Sequence, residues 1–246
     1  MPINPLKQAL TLLRRRYHAR RIGVNFKRCQ GWKAPSSIRI DGRMRPILAP
    51  NEPGSDFAFL DIFIDDCYGI RRVNPPIERI IDIGGHSGFF SLHAKMLYPK
   101  AAVHSYEPNP AMSQYIDYQS KTGGFQWFPE AVGETDGRVN LAPHKDSVCS
   151  RTIDEPAGSI PMLAFSKALQ RVGGCVDFLK LDCEGAEWSI FRDSKSMQSV
   201  RQLGMEYHLF VGHTREELIS TVTALGFKIM LLEADGPDYG RLWAQR

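Results

Sequence analysis

The stretch Ile80-Ile81-Asp82-Ile83-Gly84-Gly85-His86-Ser87-Gly88-Phe89-Phe90-Ser91 decides the fold. It opens with a short apolar run, the pattern of a strand covered on both faces of a sheet. It then passes through three glycines and resumes as an apolar helix start. Glycines in such a turn let the backbone take dihedrals that a Cβ forbids and let a ligand come close. The helix that follows presents N–H groups with no partner inside the helix, a cradle for a polar ligand. A dinucleotide fingerprint sets its glycines at relative positions 0, 2 and 5, whereas Gly84, Gly85 and Gly88 stand at 0, 1 and 4. That spacing disfavours a nicotinamide oxidoreductase.

The spacing fits instead the D-x-G-x-x-x-G loop that holds the amino-acid end of S-adenosyl-L-methionine, with Asp82 at the strand end. On this reading Gly84, Gly85, His86, Ser87, Gly88 and Phe89 surround the cofactor. Tyr106-Glu107-Pro108-Asn109 ends the next strand-like run. Glu107 lies 25 residues after Asp82, near the roughly 20-residue spacing at which an acidic side chain reaches ribose hydroxyls from a second strand. A carboxylate suits that task because it accepts from both hydroxyls of a diol. Pro108 and Asn109 complete the turn, and Glu130-Ala131-Val132-Gly133, after a third strand, falls beside the adenine. Two such motifs on consecutive strands define an adenosine-type cofactor site.

From Ile80 onward strand-like and helix-like segments alternate, as in a parallel sheet with helices on both faces. Strands are expected at Ile80 to Ile83, Ala102 to Glu107, Phe125 to Phe128, Val176 to Asp182, Leu203 to His208, Phe227 to Leu232 and Gly240 to Ala244. Helices are expected from Gly88 to Tyr98, from Asn109-Pro110 to Gly123-Gly124, and from the capping box at Thr214 to Gly226. Ser37 to Leu48 reads as a hairpin turning at Asp41-Gly42, and Asp136 to Gly158 as the longest loop. The expected division is an N-terminal cap, residues 1–79, and an α/β body, residues 80–246.

Phe178-Leu179-Lys180-Leu181-Asp182-Cys183-Glu184-Gly185-Ala186-Glu187 ends the fourth body strand. Ligands of open α/β sheets sit outside the carboxyl ends of the strands, so Asp182 and Glu184 are candidate catalytic residues. Glu187 reads as helix surface or a supporting anchor. In Glu206-Tyr207-His208 the alternation of a strand puts Glu206 and His208 on one face. A hydroxyl acceptor is a poor nucleophile until its proton is being removed. His208 is therefore the candidate base, with Asp182 orienting the acceptor and Glu184 assisting. Asp182, Glu184, Glu206 and His208 could also ligate a divalent ion, but carboxylates cluster at cofactor mouths without one, and no metal is expected.

The 246 residues are 43% apolar and 24% charged, which excludes collagenous, coiled-coil and wholly disordered classes. The best apolar run, Phe57 to Ile64, is broken by Asp61, so no membrane span is expected. Arg14, Arg15 and Arg16 follow rather than precede the apolar patch Ala9 to Leu13, the wrong order for a secretory signal. Five cysteines without a C-x-x-C suggest neither a zinc knuckle nor a disulfide framework, and the expected setting is reducing and cytoplasmic. The net charge of +4 is uneven: residues 1–40 hold ten Lys or Arg and no acidic residue, leaving −6 on the remainder. Such an arm can serve a nucleic acid, a membrane surface or an anionic substrate, or dock on the chain's own acidic body. Asn4 and Pro5 start a helix there, and Leu6, Leu10, Leu13 and Tyr17 share one face of it, expected to pack against the core.

The sequence resembles FkbM-type S-adenosyl-L-methionine-dependent methyltransferases. The resemblance rests on residues 81–91, 106–109 and 178–187, extends in order through Glu206-Tyr207-His208 and Leu225-Gly226-Phe227, and covers about residues 37–245. It implies a Rossmann-like class I methyltransferase fold: a seven-stranded, mostly parallel sheet with the last strand antiparallel. It also implies methyl transfer, often to a hydroxyl of a small molecule or sugar, with Asp82, Gly84, Gly88 and Glu107 contacting the cofactor. The family commonly has Ala-Asn where this chain has Gly85-His86, and the bulkier His86 could reach the acceptor. Two alternatives stay open. One is a nucleic-acid methyltransferase using the basic arm, although the Asn/Asp-Pro-Pro-Tyr/Phe segment that stacks a flipped base is missing after the fourth strand. The other is a cofactor-binding module without turnover. The acceptor's identity and the oligomeric state are not legible.

Overall fold

The computed structural model describes residues 5–142, 152–155 and 157–246; the expected N-cap Asn4 lies outside them. The chain opens with α1 (Pro5–Arg21) and a hairpin of β1 (Ser37–Ile40) and β2 (Arg43–Pro46). Asp41 and Gly42 turn the hairpin, both at positive φ, as an Asp-Gly turn requires. Next, α2 (Pro53–Phe59) runs into a π-helical turn, Leu60–Asp65, and a 3-10 turn, Ile70–Arg72. Alternation then begins: β3 (Arg79–Ile83), α3 (Phe89–Leu97), β4 (Ala102–Tyr106), α4 (Ser113–Gly123) and β5 (Gln126–Phe128). Four short strands follow, β6 (Ala131–Gly133), β7 (Gly137–Leu141), β8 (Thr152–Asp154) and β9 (Ile160–Ala164), and then α5 (Phe165–Val172). The chain continues through β10 (Phe178–Leu181), α6 (Glu187–Arg192), α7 (Ser194–Met197), β11 (Gln202–His208), α8 (Arg215–Ala224), β12 (Lys228–Ala234) and β13 (Tyr239–Gln245).

The central sheet has the order β12-β13-β11-β10-β3-β4-β5. Its pairings are parallel except for β13, which is antiparallel to both neighbours. All seven strands fall where the sequence places them, and the order is that of the Rossmann-like class I methyltransferase fold. Chain direction across the sheet reverses at β3, which has β4 on one side and β10 on the other. The carboxyl ends of β3 and β10 thus flank the crevice of a topological switch point.

Residues 136–158 are not simply a loop. β7 and β8 join β6 and β9 in a second sheet of order β6-β9-β7-β8. In β7 only Val139 is fully buried, so its alternation is too short to register in the sequence. Residues 143–151 and 156 of that stretch lie outside the described set.

Two apolar clusters cover the two faces of the central sheet. One joins residues of the first 79 positions to α3 and α4. Phe59 stacks on Phe63 at 4.7 Å, and both meet the Phe89 ring at 5.7 Å. The other packs α5, α6 and α8 on β10 and β11.

Helix α1 departs from expectation. Its leucine face is turned away from the core: Leu6, Leu10, Leu13 and Tyr17 are all more than half exposed. The helix instead docks through buried Ala19 and through Arg15. That guanidinium donates from Nε and Nη2 to the Asp65 carboxylate at 2.6–3.0 Å and from Nη1 to Cys29 Sγ at 2.6 Å. Heptad-like spacing defines a face, but not which way it turns, and here a two-pronged ion pair sets the rotation. Arg15→Ala should therefore speed amide hydrogen exchange across residues 5–21 while leaving protection of the central strands unchanged, as read by exchange mass spectrometry.

Candidate active site

The carboxyl ends of β3, β4, β10 and β11, the turn before β6 and the start of β13 meet around one cavity of about 520 Å³, ordinary for a small-molecule site. One half is built by the turn after β3. Gly84 has φ 81°, and a Cβ on it would lie 1.7 Å from the Asp182 carbonyl oxygen. The turn therefore touches the end of β10 backbone to backbone, which only glycine allows. Gly84, Gly85, His86, Ser87 and Phe89 all line the cavity. Ser87 Oγ is buried there without a hydrogen-bond partner among the described residues. Gly88 and Asn109 do not line it. Gly88, at φ 83°, starts α3 where a Cβ would crowd Ile116 and Phe125 at 3.1 Å, and Asn109 caps the next turn by accepting from the Ala111 N–H.

Glu107 lies at the end of β4 and faces the same half. Its Oε2 accepts from the His86 N–H at 2.6 Å and its Oε1 from the Asn109 N–H at 2.7 Å. Burial pushes Glu107 up to about 7, against these two N–H donors, which favour the carboxylate. Each oxygen keeps a second lone pair for a ligand hydroxyl. Pro108, Glu130 and Ala131 complete this wall, Glu130 held by Arg171 at 2.6 Å.

Asp82 is fully buried beneath the cavity and is not part of its lining. Its Oδ2 accepts from Ser91 Oγ at 2.7 Å and Ser105 Oγ at 3.0 Å, and its Oδ1 lies 3.2 Å from Lys180 Nζ. Lys180 is the residue that sequence reasoning passed over, although a lone lysine in the apolar strand Phe178–Leu181 was a signal. Its ammonium also lies 3.6 Å from Asp182 and donates to the Gly84 carbonyl. Burial alone would lower its pKa, but the carboxylates of Asp82 and Asp182 outweigh that and hold it above its ordinary value.

The other half is acidic. Asp182 accepts from the Tyr68 hydroxyl at 2.6 Å, so the cap supplies a second ring of contacts to β10. Glu184, at φ 56°, holds a left-handed backbone that is strained for a side chain and lies 3.5 Å from His208 Nε2. The register of β13 sets Arg241 opposite Glu206 and Tyr239 opposite His208, and the Asp61-bearing π-turn closes the wall. Arg241 is gripped by Asp235 at 2.7–2.8 Å. Burial pushes Asp61 up to about 6. Burial and the neighbouring Asp182 carboxylate also push Glu206 above the usual carboxylate range. Asp235 and Arg241 had no signal in the sequence, whereas Asp61, a lone acid in the apolar run Phe57 to Ile64, had the same kind of signal as Lys180. His86 reaches toward the cap, its Nε2 3.8 Å from Glu52.

His208 sits behind this wall, 4% exposed and outside the lining. Burial would lower its pKa, but Glu187, Glu184 and Asp182 together raise it to about 9, so it is a cation at neutral pH. Glu187 is no surface residue. It is buried, accepts from the N–H groups of Cys183 and Gly185 at 3.0 and 2.8 Å, and lies 3.4 Å from His208 Nδ1. Asp182, Glu184 and His208 bring three donor atoms within 4.8 Å of one another. A divalent ion there would have to displace the His208 proton beside an ammonium already in place.

Residues 82–229 match the family model described as the methyltransferase FkbM domain. The chain belongs to this FkbM methyltransferase family. Methyltransferase 1 of Beauveria bassiana (strain ARSEF 2860) is 39% identical over 56 residues, 23% of this chain and 22% of that protein; the match thus spans about a fifth of the curated relative. Precorrin-6y C5,15-methyltransferase of Geobacter metallireducens GS-15 aligns with a TM-score of 0.46 at 11% identity, over 81% of this chain and 94% of that one. Aeropyrum pernix fibrillarin, solved with natively bound S-adenosyl-L-methionine, aligns with a TM-score of 0.46 at 13% identity, over 85% and 92%. S-adenosyl-L-methionine fits the cavity's first half: a glycine turn that lines it, a buried Ser87 hydroxyl with no partner among the described residues and a desolvated Glu107 carboxyl group. Removing the cation beneath it leaves Asp82 buried and uncompensated, so Lys180→Met should cost about 3–5 kcal/mol of stability, measured by denaturant unfolding.

Proposed function

We propose that this methyltransferase methylates a hydroxyl of a small polyhydroxylated molecule, such as a sugar, in the cytoplasm. The observation that carries the reading is one cavity whose cofactor half opens directly onto a half lined by Asp61, Asp182, Glu184 and Glu206. Carboxylates accept from hydroxyl groups and repel phosphates. That charge favours a polyol over a nucleic acid, whose backbone would meet like charge at the mouth. Tyr68 and Tyr239 offer rings to the C–H faces of such a molecule.

When bound, S-adenosyl-L-methionine supplies an electrophilic sulfonium methyl group. The backbone from Gly84 to Ser87 holds its amino-acid end, Glu107 accepts from the ribose hydroxyls, and Glu130 and Ala131 flank the adenine. Asp82, Gly88 and Asn109 act one layer behind, by fixing the turns that carry these groups. Asp182, already oriented by Tyr68 and Lys180, accepts a hydrogen bond from the acceptor. Glu184 takes the acceptor's proton. His208, a cation buried behind Glu184, positions that carboxylate rather than acting as the base itself.

Calorimetric titration with S-adenosylhomocysteine, with NAD as control, tests the cofactor half. Tight binding of the first alone is expected, weakened at least about tenfold in Glu107→Ala. Because Glu107 titrates near 7 in the free protein and its ionised form is the better acceptor, affinity should fall about tenfold from pH 8 to pH 6, and Glu107→Gln should flatten that slope. Unchanged affinity in Glu107→Ala overturns its assignment.

The acceptor half is read from pH. On an identified hydroxyl acceptor, kcat/KM should hold through neutrality and fall as pH rises through about 9, where His208 loses its charge. Glu184→Gln should abolish turnover while leaving S-adenosylhomocysteine affinity intact. A rate that instead climbs through about pH 9 makes His208 the base.

A further inference from the structure

Helix α1 carries a surface that neither the core nor the cavity uses. Ala19 and Arg15 face the body. At about 100° per residue, Leu6, Leu10, Leu13 and Tyr17 lie on the opposite side, 67%, 58%, 61% and 60% exposed. Scattered apolar residues on a surface are ordinary, but an aligned row of four is not. The row is bordered on both sides by cations. By the same helical spacing Arg14 and Arg21 fall along one edge, and Arg16 and Arg20 along the other, all exposed. The Arg21 guanidinium lies 6.0 Å from the Tyr17 ring centre.

The surface continues onto the hairpin. The Arg39 N–H donates to the Ile22 carbonyl at 2.8 Å, and β2 adds Arg43, Met44 and Arg45, all exposed. Beside the helix a small cavity of about 170 Å³ is lined by Arg16, Arg20, Asn25, Phe26 and Lys27, a cationic recess for a phosphate group. Residues 1–40 contain no Asp or Glu. An apolar ridge between two rows of arginine matches a surface that is apolar inside and negative outside.

We propose that α1, with β2, lies in the plane of an anionic phospholipid bilayer. Leu6, Leu10, Leu13 and Tyr17 enter the boundary between headgroups and acyl chains, and the bordering arginines reach lipid phosphates. The helix does not cross: among the described residues no helix is long and apolar enough to do so. A nucleic acid would use the arginines and leave the leucines in water. A second copy docked ridge to ridge would set arginine rows against arginine rows, since a two-fold contact pairs each patch with itself. The contact bears on the reaction site through one element. The π-turn Leu60–Asp65 holds Arg15 through Asp65 and lines the acceptor half through Asp61 and Ile62.

The test is co-sedimentation of the full chain with vesicles of phosphatidylcholine alone or with added phosphatidylglycerol. Binding is expected only to the anionic vesicles, falling as salt rises. Leu10→Glu/Leu13→Glu and, separately, Arg16→Glu/Arg20→Glu should each weaken it at least about tenfold. Both variants should keep the melting temperature and the S-adenosylhomocysteine affinity of the parent, because none of these side chains reaches the core or the cofactor half. Absence of binding to anionic vesicles overturns the proposal, as does binding that survives the leucine substitutions. So does a dimer in light scattering that Leu10→Glu/Leu13→Glu dissociates, or tighter binding of a DNA or RNA duplex that the leucine pair leaves unchanged. The S-adenosylhomocysteine titration stands apart from all of these, so a failure here leaves the methyltransferase reading untouched.

Discussion

A single buried ammonium holds the switch point together. Lys180 lies between Asp82 at the end of β3 and Asp182 at the end of β10, and it also donates to the carbonyl of Gly84 in the turn between sheet and helix. Two separate pieces of chain, residues 82–84 and 180–182, are thereby referenced to one charge. Taking an ammonium and two carboxylates out of water is costly, and that cost is offset only when geometry and further hydrogen bonds are satisfied. Here the further bonds come from Ser91, Ser105 and Tyr68. The arrangement places Asp182 in the cavity with its direction already set, so an acceptor meets a preorganised group rather than a mobile one.

That network explains why part of the site was legible and part was not. The turn from Gly84 to Gly88 and the acid at Glu107 follow local rules: a backbone that must touch β10, and a carboxylate one strand further on. Such constraints leave marks at fixed spacings in one short stretch of sequence. Seven strands could be read for the same reason, each being a run bounded by turn chemistry. In the acceptor half Asp182, Glu184 and Glu206 follow the strand-end rule, but the rest obeys no local rule. Tyr68 and Asp61 come from the first 79 residues, and Arg241 and Tyr239 from the antiparallel last strand. Only the folded topology brings these together, and no spacing along the chain records it.

His208 is proposed to position Glu184 rather than to act as the base, for an electrostatic reason that strand position could not reveal. Alternation along β11 correctly puts Glu206 and His208 on one face, but proton affinity depends on what surrounds that face. Glu187, which reads in the sequence as helix surface or a supporting anchor, is the anchor: it turns inward and accepts from the backbone of the turn after β10. In doing so it brings a buried carboxylate within 3.4 Å of the imidazole. With Glu184 at 3.5 Å on the other nitrogen, the ring is held between two acids, and a proton on it is favoured by both.

The first helix carries the same lesson in reverse. Periodicity located a leucine face on α1 and implied that it turns inward, because most amphipathic helices have only the protein core to turn toward. The direction was decided instead by Arg15, whose guanidinium finds Asp65 and Cys29 on the cap. A charge-assisted, two-pronged contact is more directional than a row of leucines, so it fixes the rotation of the cylinder and the leucines follow outward. The anchor Asp65 lies four residues along the same π-turn from Asp61. One six-residue element thus carries both the carboxylate that holds the arginine-edged helix and a carboxyl group of the acidic half of the cavity.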